Sequence, residues 1–215
     1  MPTSIPSTFY MFCQRNHLMV NNLQYTGGIT SNGIATATVS PEATASYLSG
    51  DMPYIGFGPI HGRENIIPSY FHLSVLSEYY VEYALEYVRS GHFKTYPSRV
   101  TCFFAFDDMD FCHKASAIYG WNLNEVKIFN LVPSPLNKYA RCDMEIVTIM
   151  RAFQPYGTPF ELFETAAHRY WSGQSGFGDI FHRFQVNEPP PEREPIWETL
   201  IEGRLQLVNG DQPAC

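Results

Sequence analysis

Apolar positions along this chain change their period several times, and each change marks an element. "STFYMFCQ" (7–14) is short, aromatic and bounded by Pro6, which predicts a first strand. From 15 to 69 the sequence turns to Gly, Ser, Thr, Asn and Pro, including "YTGGITSNG" and "GFGPIHG", and predicts loop or a short hairpin. So long an irregular stretch is often a functional lid. In "SEYYVEYALEYVRSG" (77–91) the apolar Val81, Ala84, Leu85 and Val88 recur at helical spacing. Ser77 is the expected N-cap and Gly91 the expected end, with the Glu78, Glu82, Glu86 stripe facing water.

The second half alternates strands and helices. "RVTCFFAF" (99–106) predicts a strand apolar on both faces, and "DMDFCHKASAIYG" a helix begun by Asp107 or Asp108 and closed by Gly120. "EVKIFNLV" (125–132) predicts a further buried strand, and "DMEIVTIMRAF" a helix. "TPFELFETAAHRYW" carries a capping box, with Thr158 as cap, Pro159 at the first helical position and Glu161 reaching back. "SGQSGFGDI" is expected to be a flexible glycine loop. "NEPPPEREP" is expected to be extended, because proline supplies no N–H, and it leads into the strand "IWETLIEG" and its continuation "RLQLV". Strands and helices in this order predict a mixed α+β sheet fold rather than a doubly wound one, in a single domain spanning 1–215.

A formal net charge of −7 argues against a nonspecific phosphate binder, although a local basic groove remains compatible with it. No apolar run is long enough to span a membrane, and the first residues lack a basic segment followed by an apolar one. The five cysteines, Cys13, Cys102, Cys112, Cys142 and Cys215, are odd in number and without paired spacing, which suggests neither a disulfide framework nor a zinc knuckle. A soluble, unprocessed protein of a reducing cytoplasm, with no membrane partner, is the expectation.

Two stretches stand out chemically. In "PIWETLIEG", Glu198 shares a strand face with Ile196 and Leu200, while Trp197, Thr199 and Ile201 occupy the other. A carboxylate among apolar groups needs a cationic or hydrogen-bonding partner, or a functional reason to stay. In "YPSRVTCFFAF", Ser98 and Arg99 stand at the mouth of an apolar run. Taken alone, Arg99 would pair with a nearby acid such as Asp107 or Asp143, and Ser98 would be a turn residue after Pro97.

Taken together, "SRVTCFFAFDDMDFCHKASAIYG", the strand "EVKIFNLV" and a late strand with an isolated Glu before a glycine resemble the ADP-ribosyltransferase superfamily. The resemblance covers roughly 8–208 in order of elements. It implies a split mixed β-sheet core with flanking helices and NAD as the substrate. It also implies a catalytic role for Glu198. Arg15 is the best match to the residue that anchors NAD on the first strand, with Gln14 and His17 as close rivals. Ser98, Arg99 and Thr101 match the second-strand region beside the nicotinamide, although "TCFF" stands where the usual Ser-Thr-Ser pattern would be. Ala115 matches an inward helix position. Tyr170 either stacks on nicotinamide or belongs to the core.

Members that modify protein arginine carry a second acid two residues before the catalytic Glu, where this chain has Ile196. The resemblance therefore implies another acceptor, and a single-stranded RNA or DNA base fits the small toxins of phage defence, with an antitoxin-like protein as partner. A protein acceptor is the alternative, as is a non-enzymatic interaction protein on a degenerate version of the fold. A third reading is a phosphotransferase or hydrolase acting on RNA ends. No "GxxxxGK[ST]", "GxSxG", "HExxH" or "CxxC" occurs. Cys112 and His113 are helical neighbours that do not face each other. His61, His72 and His168 are isolated, so no metal site is expected.

Overall fold

The computed structural model describes residues 5–13, 23, 25–51, 70–152, 158–183 and 193–208. They form an α+β fold whose sheets are antiparallel. The chain divides into two compact units, one of Met1–Met52, Thr95–Arg141 and Ile196–Cys215, the other of Pro53–Lys94 and Cys142–Pro195.

The first unit holds the sheets. Strands β1 (Thr8–Phe12) and β2 (Gly28–Thr30) are followed by the short helix α1 (Asn32–Ala37) and by α2 (Pro41–Ser49). These elements replace much of the loop that the Gly- and Ser-rich composition predicts. Helix α2 is capped by the Ser40 side chain, which accepts from the Ala43 N–H, and Pro41 opens it. The long helix α3 (Tyr70–His92) belongs to the other unit. Back in the first come β3 (Phe103–Ala105), α4 (Met109–Tyr119) and β4 (Val126–Leu131). Strand β5 (Lys138–Asp143) has no counterpart in the sequence reading. Helix α4 starts at Asp108, whose side chain accepts from the Asp110 N–H, and ends at Gly120 with φ of 68°, a left-handed value that favours glycine.

Helices α5 (Met144–Ala152), α6 (Phe160–Trp171) and α7 (Gly178–Arg183) precede the last strands, β6 (Trp197–Glu202) and β7 (Arg204–Leu207). One sheet has the order β1-β4-β7-β2 and the other β3-β6-β5. Among the described residues an isolated bridge joins them, with Tyr10 and Phe106 exchanging backbone hydrogen bonds of 2.9 Å. Strand β3 is shorter than its apolar run predicts, and Phe104 on it is exposed. Likewise only Phe129 of β4 is fully buried, because that strand is half-covered. The core of this unit gathers Phe9, Met11, Ile29, Phe129, Ile201 and Leu205.

In the helical unit, α6 packs on α3 and α5. Val81, Ala84, Leu85 and Val88 are buried as their spacing predicts. The helix they belong to begins at Tyr70, so Ser77 lies within it rather than capping it, and Gly91 sits in its last turn. Glu86 departs from the expected solvated stripe. It is buried and gripped by Arg89, with Nη2 donating at 2.7 Å and Nε at 2.9 Å. Helix α6 starts at Phe160 with Pro159 at the cap position, one residue after the expected cap Thr158. Among the described residues no helix is long and apolar enough to cross a membrane.

Candidate functional site

The first unit brings together the two stretches that the sequence singles out. After Pro97 the chain makes a tight turn in which the Thr101 and Cys102 N–H groups both donate to the Ser98 carbonyl, at 3.1 and 2.9 Å. The Ser98 hydroxyl accepts from the Val100 N–H at 3.2 Å, the local bond that makes serine a turn residue. Arg99 projects from this turn, and its Nη1 donates to Glu198 Oε1 at 2.8 Å. Both side chains are buried, and the guanidinium carbon lies 4.7 Å from the centre of the Phe104 ring. Arg99 is therefore held by charge on one side and by an aromatic face on another.

The pairing register explains the arrangement. Strands β3 and β6 are antiparallel with Phe104 opposite Leu200, so Phe104 shares a sheet face with Leu200 and, two residues away, Glu198. The acid that accepts this bond is Glu198, not one of the nearby acids Asp107 and Asp143. Asp107 lies 2.9 Å from Arg141 Nε, and Asp143 accepts from the Glu145 N–H at 3.1 Å.

A second carboxylate on the same face escaped the sequence reading. Glu202 is fully buried, and its Oε1 accepts from the Thr101 hydroxyl at 2.6 Å and from the Ser98 N–H at 3.2 Å. The available signal was the spacing in "ETLIE", which places Glu198 and Glu202 on one face of a strand. The opposite face of the sheet is polar too. The Arg141 guanidinium lies between Trp197 and Phe111, at 5.0 and 5.3 Å from their ring centres. Burial, reinforced by Asp107, pushes the nearby Tyr139 hydroxyl up to about 12, so it stays a neutral donor.

A family described as "Protein of unknown function (DUF2441)" matches residues 60–178, more than half of the 215-residue chain. The chain belongs to the DUF2441 family. No curated protein matches it. The DUF2441 match includes Ser98, Arg99 and Thr101 and ends before β6, so one half of the ion pair lies inside the matched residues and Glu198 and Glu202 lie beyond them.

The remaining candidates fare differently in this DUF2441 protein. Gln14, Arg15 and His17 lie outside the described residues, as does His61. Tyr170 is fully buried on α6, edge-on to Trp171 with ring centres 5.0 Å apart, which is the surrounding of a core residue. Ala115 is fully buried on α4. Burial pushes the thiols of Cys13 and Cys112 up to about 12, the reverse of what a nucleophilic thiolate needs. His168 is not isolated, since its ring centre is 4.5 Å from that of His92. No group of three or more His, Cys, Asp or Glu among the described residues is arranged to hold a metal ion.

Proposed function

We propose that this DUF2441 protein is an NAD-dependent ADP-ribosyltransferase of the kind its sequence resembles, with Glu198 as the catalytic carboxylate. The observation that carries the reading is the Arg99–Glu198 pair, 2.8 Å across and ninety-nine positions apart in sequence. The division into a three-stranded and a four-stranded sheet, bridged between Tyr10 and Phe106, also accords with a split-sheet core. Phe104, exposed beside the guanidinium, offers an apolar face for a planar ring such as nicotinamide.

NAD supplies an activated glycosidic bond: the bond from ribose C1′ to nicotinamide breaks, its electron pair leaves with the neutral base, C1′ bonds to the acceptor, and the acceptor's proton passes to solvent. Glu198 accepts a hydrogen bond from a ribose hydroxyl and stabilises the positive charge that develops on the sugar. Arg99 meets the pyrophosphate. Its planar fork carries more donors than one carboxylate accepts, so it can face a phosphate oxygen while bonded to Glu198. Nucleic acid is the acceptor we favour, since Ile196 stands where arginine-modifying members carry an acid.

The test is release of nicotinamide from NAD by the purified protein, with Glu198→Gln as control. Turnover lost in a folded Glu198→Gln variant is the expected result, and equal turnover in both proteins would overturn the assignment. Labelled NAD incubated with separate pools of RNA, DNA and protein then identifies the acceptor. The depth at which the pair is buried favours a second reading, a binding protein in which the pair only fastens the turn to the sheet. That reading predicts no turnover at all.

A further inference from the structure

Strand β6 ends in a carboxylate for which the proposed chemistry has no direct use. Glu202 is fully buried, and its Oε2 has no hydrogen-bond partner among the described residues. An unpaired buried carboxylate oxygen is costly, so the gain must lie in what the other oxygen holds. That oxygen takes the Ser98 N–H and the Thr101 hydroxyl, the two ends of the turn from which Arg99 projects. The turn is also held by the Gly33 N–H, which donates to the Thr101 carbonyl at 3.4 Å. Gly33 also leaves room for the carboxylate, since a Cβ there would lie 2.4 Å from Glu202 Oε1.

Two carboxylates of one strand, on residues whose Cα atoms stand roughly 13 Å apart at the rise of an extended chain, thus grip one turn by different handles. Glu198 takes the side chain of Arg99, and Glu202 takes the backbone and hydroxyl that flank it. A guanidinium can be aimed only as well as its Cα is fixed, and the bonds to Glu202 fix residues 98 and 101 on either side.

We propose that Glu202 is a positioning residue for Arg99: by fastening both ends of the 98–101 turn it aims the guanidinium at Glu198 and at the phosphates of NAD. The part concerning NAD rests on the function proposed above. The part concerning Arg99 does not. Thr101 is the intermediary, because its hydroxyl makes the shorter of the two bonds to Glu202.

The experiment has two arms. In the first, the Arg99 Nε–H resonance is assigned by its loss in Arg99→Lys and followed in Glu202→Gln, Thr101→Val and Thr101→Ser. Shift or broadening is expected in Glu202→Gln and Thr101→Val, and recovery in Thr101→Ser, which keeps the hydroxyl. Should Glu202→Gln fail to fold, the two Thr101 variants decide alone. An unmoved resonance in folded Thr101→Val would overturn the proposal. In the second arm, Glu202→Gln is expected to raise KM for NAD by about tenfold with kcat little changed, the signature of lost binding that is equal in ground and transition states. The double variant Glu202→Gln/Arg99→Ala is expected to match Arg99→Ala alone, whereas additive effects would reduce Glu202 to a structural role. Absence of any NAD turnover in the unaltered protein would sink the transferase reading and leave the resonance arm to judge Glu202.

Discussion

Gly33 and Glu202 meet so closely that a Cβ on residue 33 would stand 2.6 Å from the carboxylate carbon of Glu202. The end of a glutamate can ordinarily swing aside, but here two hydrogen bonds hold it to the 98–101 turn. Gly33→Ala is therefore expected to destabilise the fold by about 1–3 kcal/mol, the usual cost of overpacking. Gly91→Ala is the contrasting control, since a Cβ there meets nothing within 4 Å and the residue is helical. It is expected to stabilise by about 0.4–1 kcal/mol. Urea unfolding of the two variants measures both.

Arg89 and Glu86 form a buried pair on α3, completed by a bond from Arg89 Nη1 to the Lys94 carbonyl at 3.1 Å. Arg89→Met strands a charge in the interior and is expected to cost about 3–5 kcal/mol. Replacing both residues by methionine is expected to cost much less, because no charge is then left buried without its partner. A double-mutant cycle in denaturant reads the difference.

Burial keeps the Cys13 and Cys112 thiols protonated, with values pushed up to about 12. At pH 8 only about one in ten thousand of such groups is a thiolate. Alkylation of the native protein followed by mass spectrometry is expected to spare both while they react fully after denaturation. Cys102, which is only half-buried, is expected to label ahead of them.

His168 sits beside His92, and burial, with help from that neighbouring ring, holds its imidazole below the ordinary histidine range, opposed by Glu164. The unfolded chain, with a value of about 6.5, takes up this proton before the folded one does. The contribution of His168 to stability is thus fully present above that value and is lost as the pH falls from it toward the folded value. His168→Gln is expected to flatten this part of the stability profile. An unchanged slope between pH 5 and 7 would remove His168 as its source.

Local signals carried the elements that depend on local chemistry. Asp108 and Gly120 bracket α4 as their cap chemistry predicts, and the spacing from Val81 to Val88 buries one face of α3. The "SPEATASYLSG" stretch held equally good signals for α2, in the cap Ser40, the leading Pro41 and the closing Gly50, but the Gly, Ser and Thr around it read as loop. Strand β5 was hidden by its charges. Lys138 is buried against the Tyr47 ring, and Arg141 is sandwiched by Phe111 and Trp197, contacts that come from residues remote in sequence. The same limit governs the candidate site. The resemblance put Arg99 and Glu198 in one site, but the antiparallel register of β3 and β6 decides that they bond directly to each other. Glu202 was passed over because its partners, a backbone N–H and a threonine hydroxyl, leave no mark in a charge pattern.

The strand order has a consequence for how the chain is made. Strand β6 lies between β3 and β5, and β7 lies between β4 and β2, so these two strands, made after the other described ones, are interior strands of both sheets. Until they arrive, β3 and β5 have no common neighbour, and β2 has no strand to pair with. Pairings so distant in sequence close slowly, because the loop entropy is spent before the contacts return it. The sheet unit is thus completed only once β6 and β7 have been made, and its earlier strands must wait with open edges, the condition in which a nascent chain most needs a chaperone.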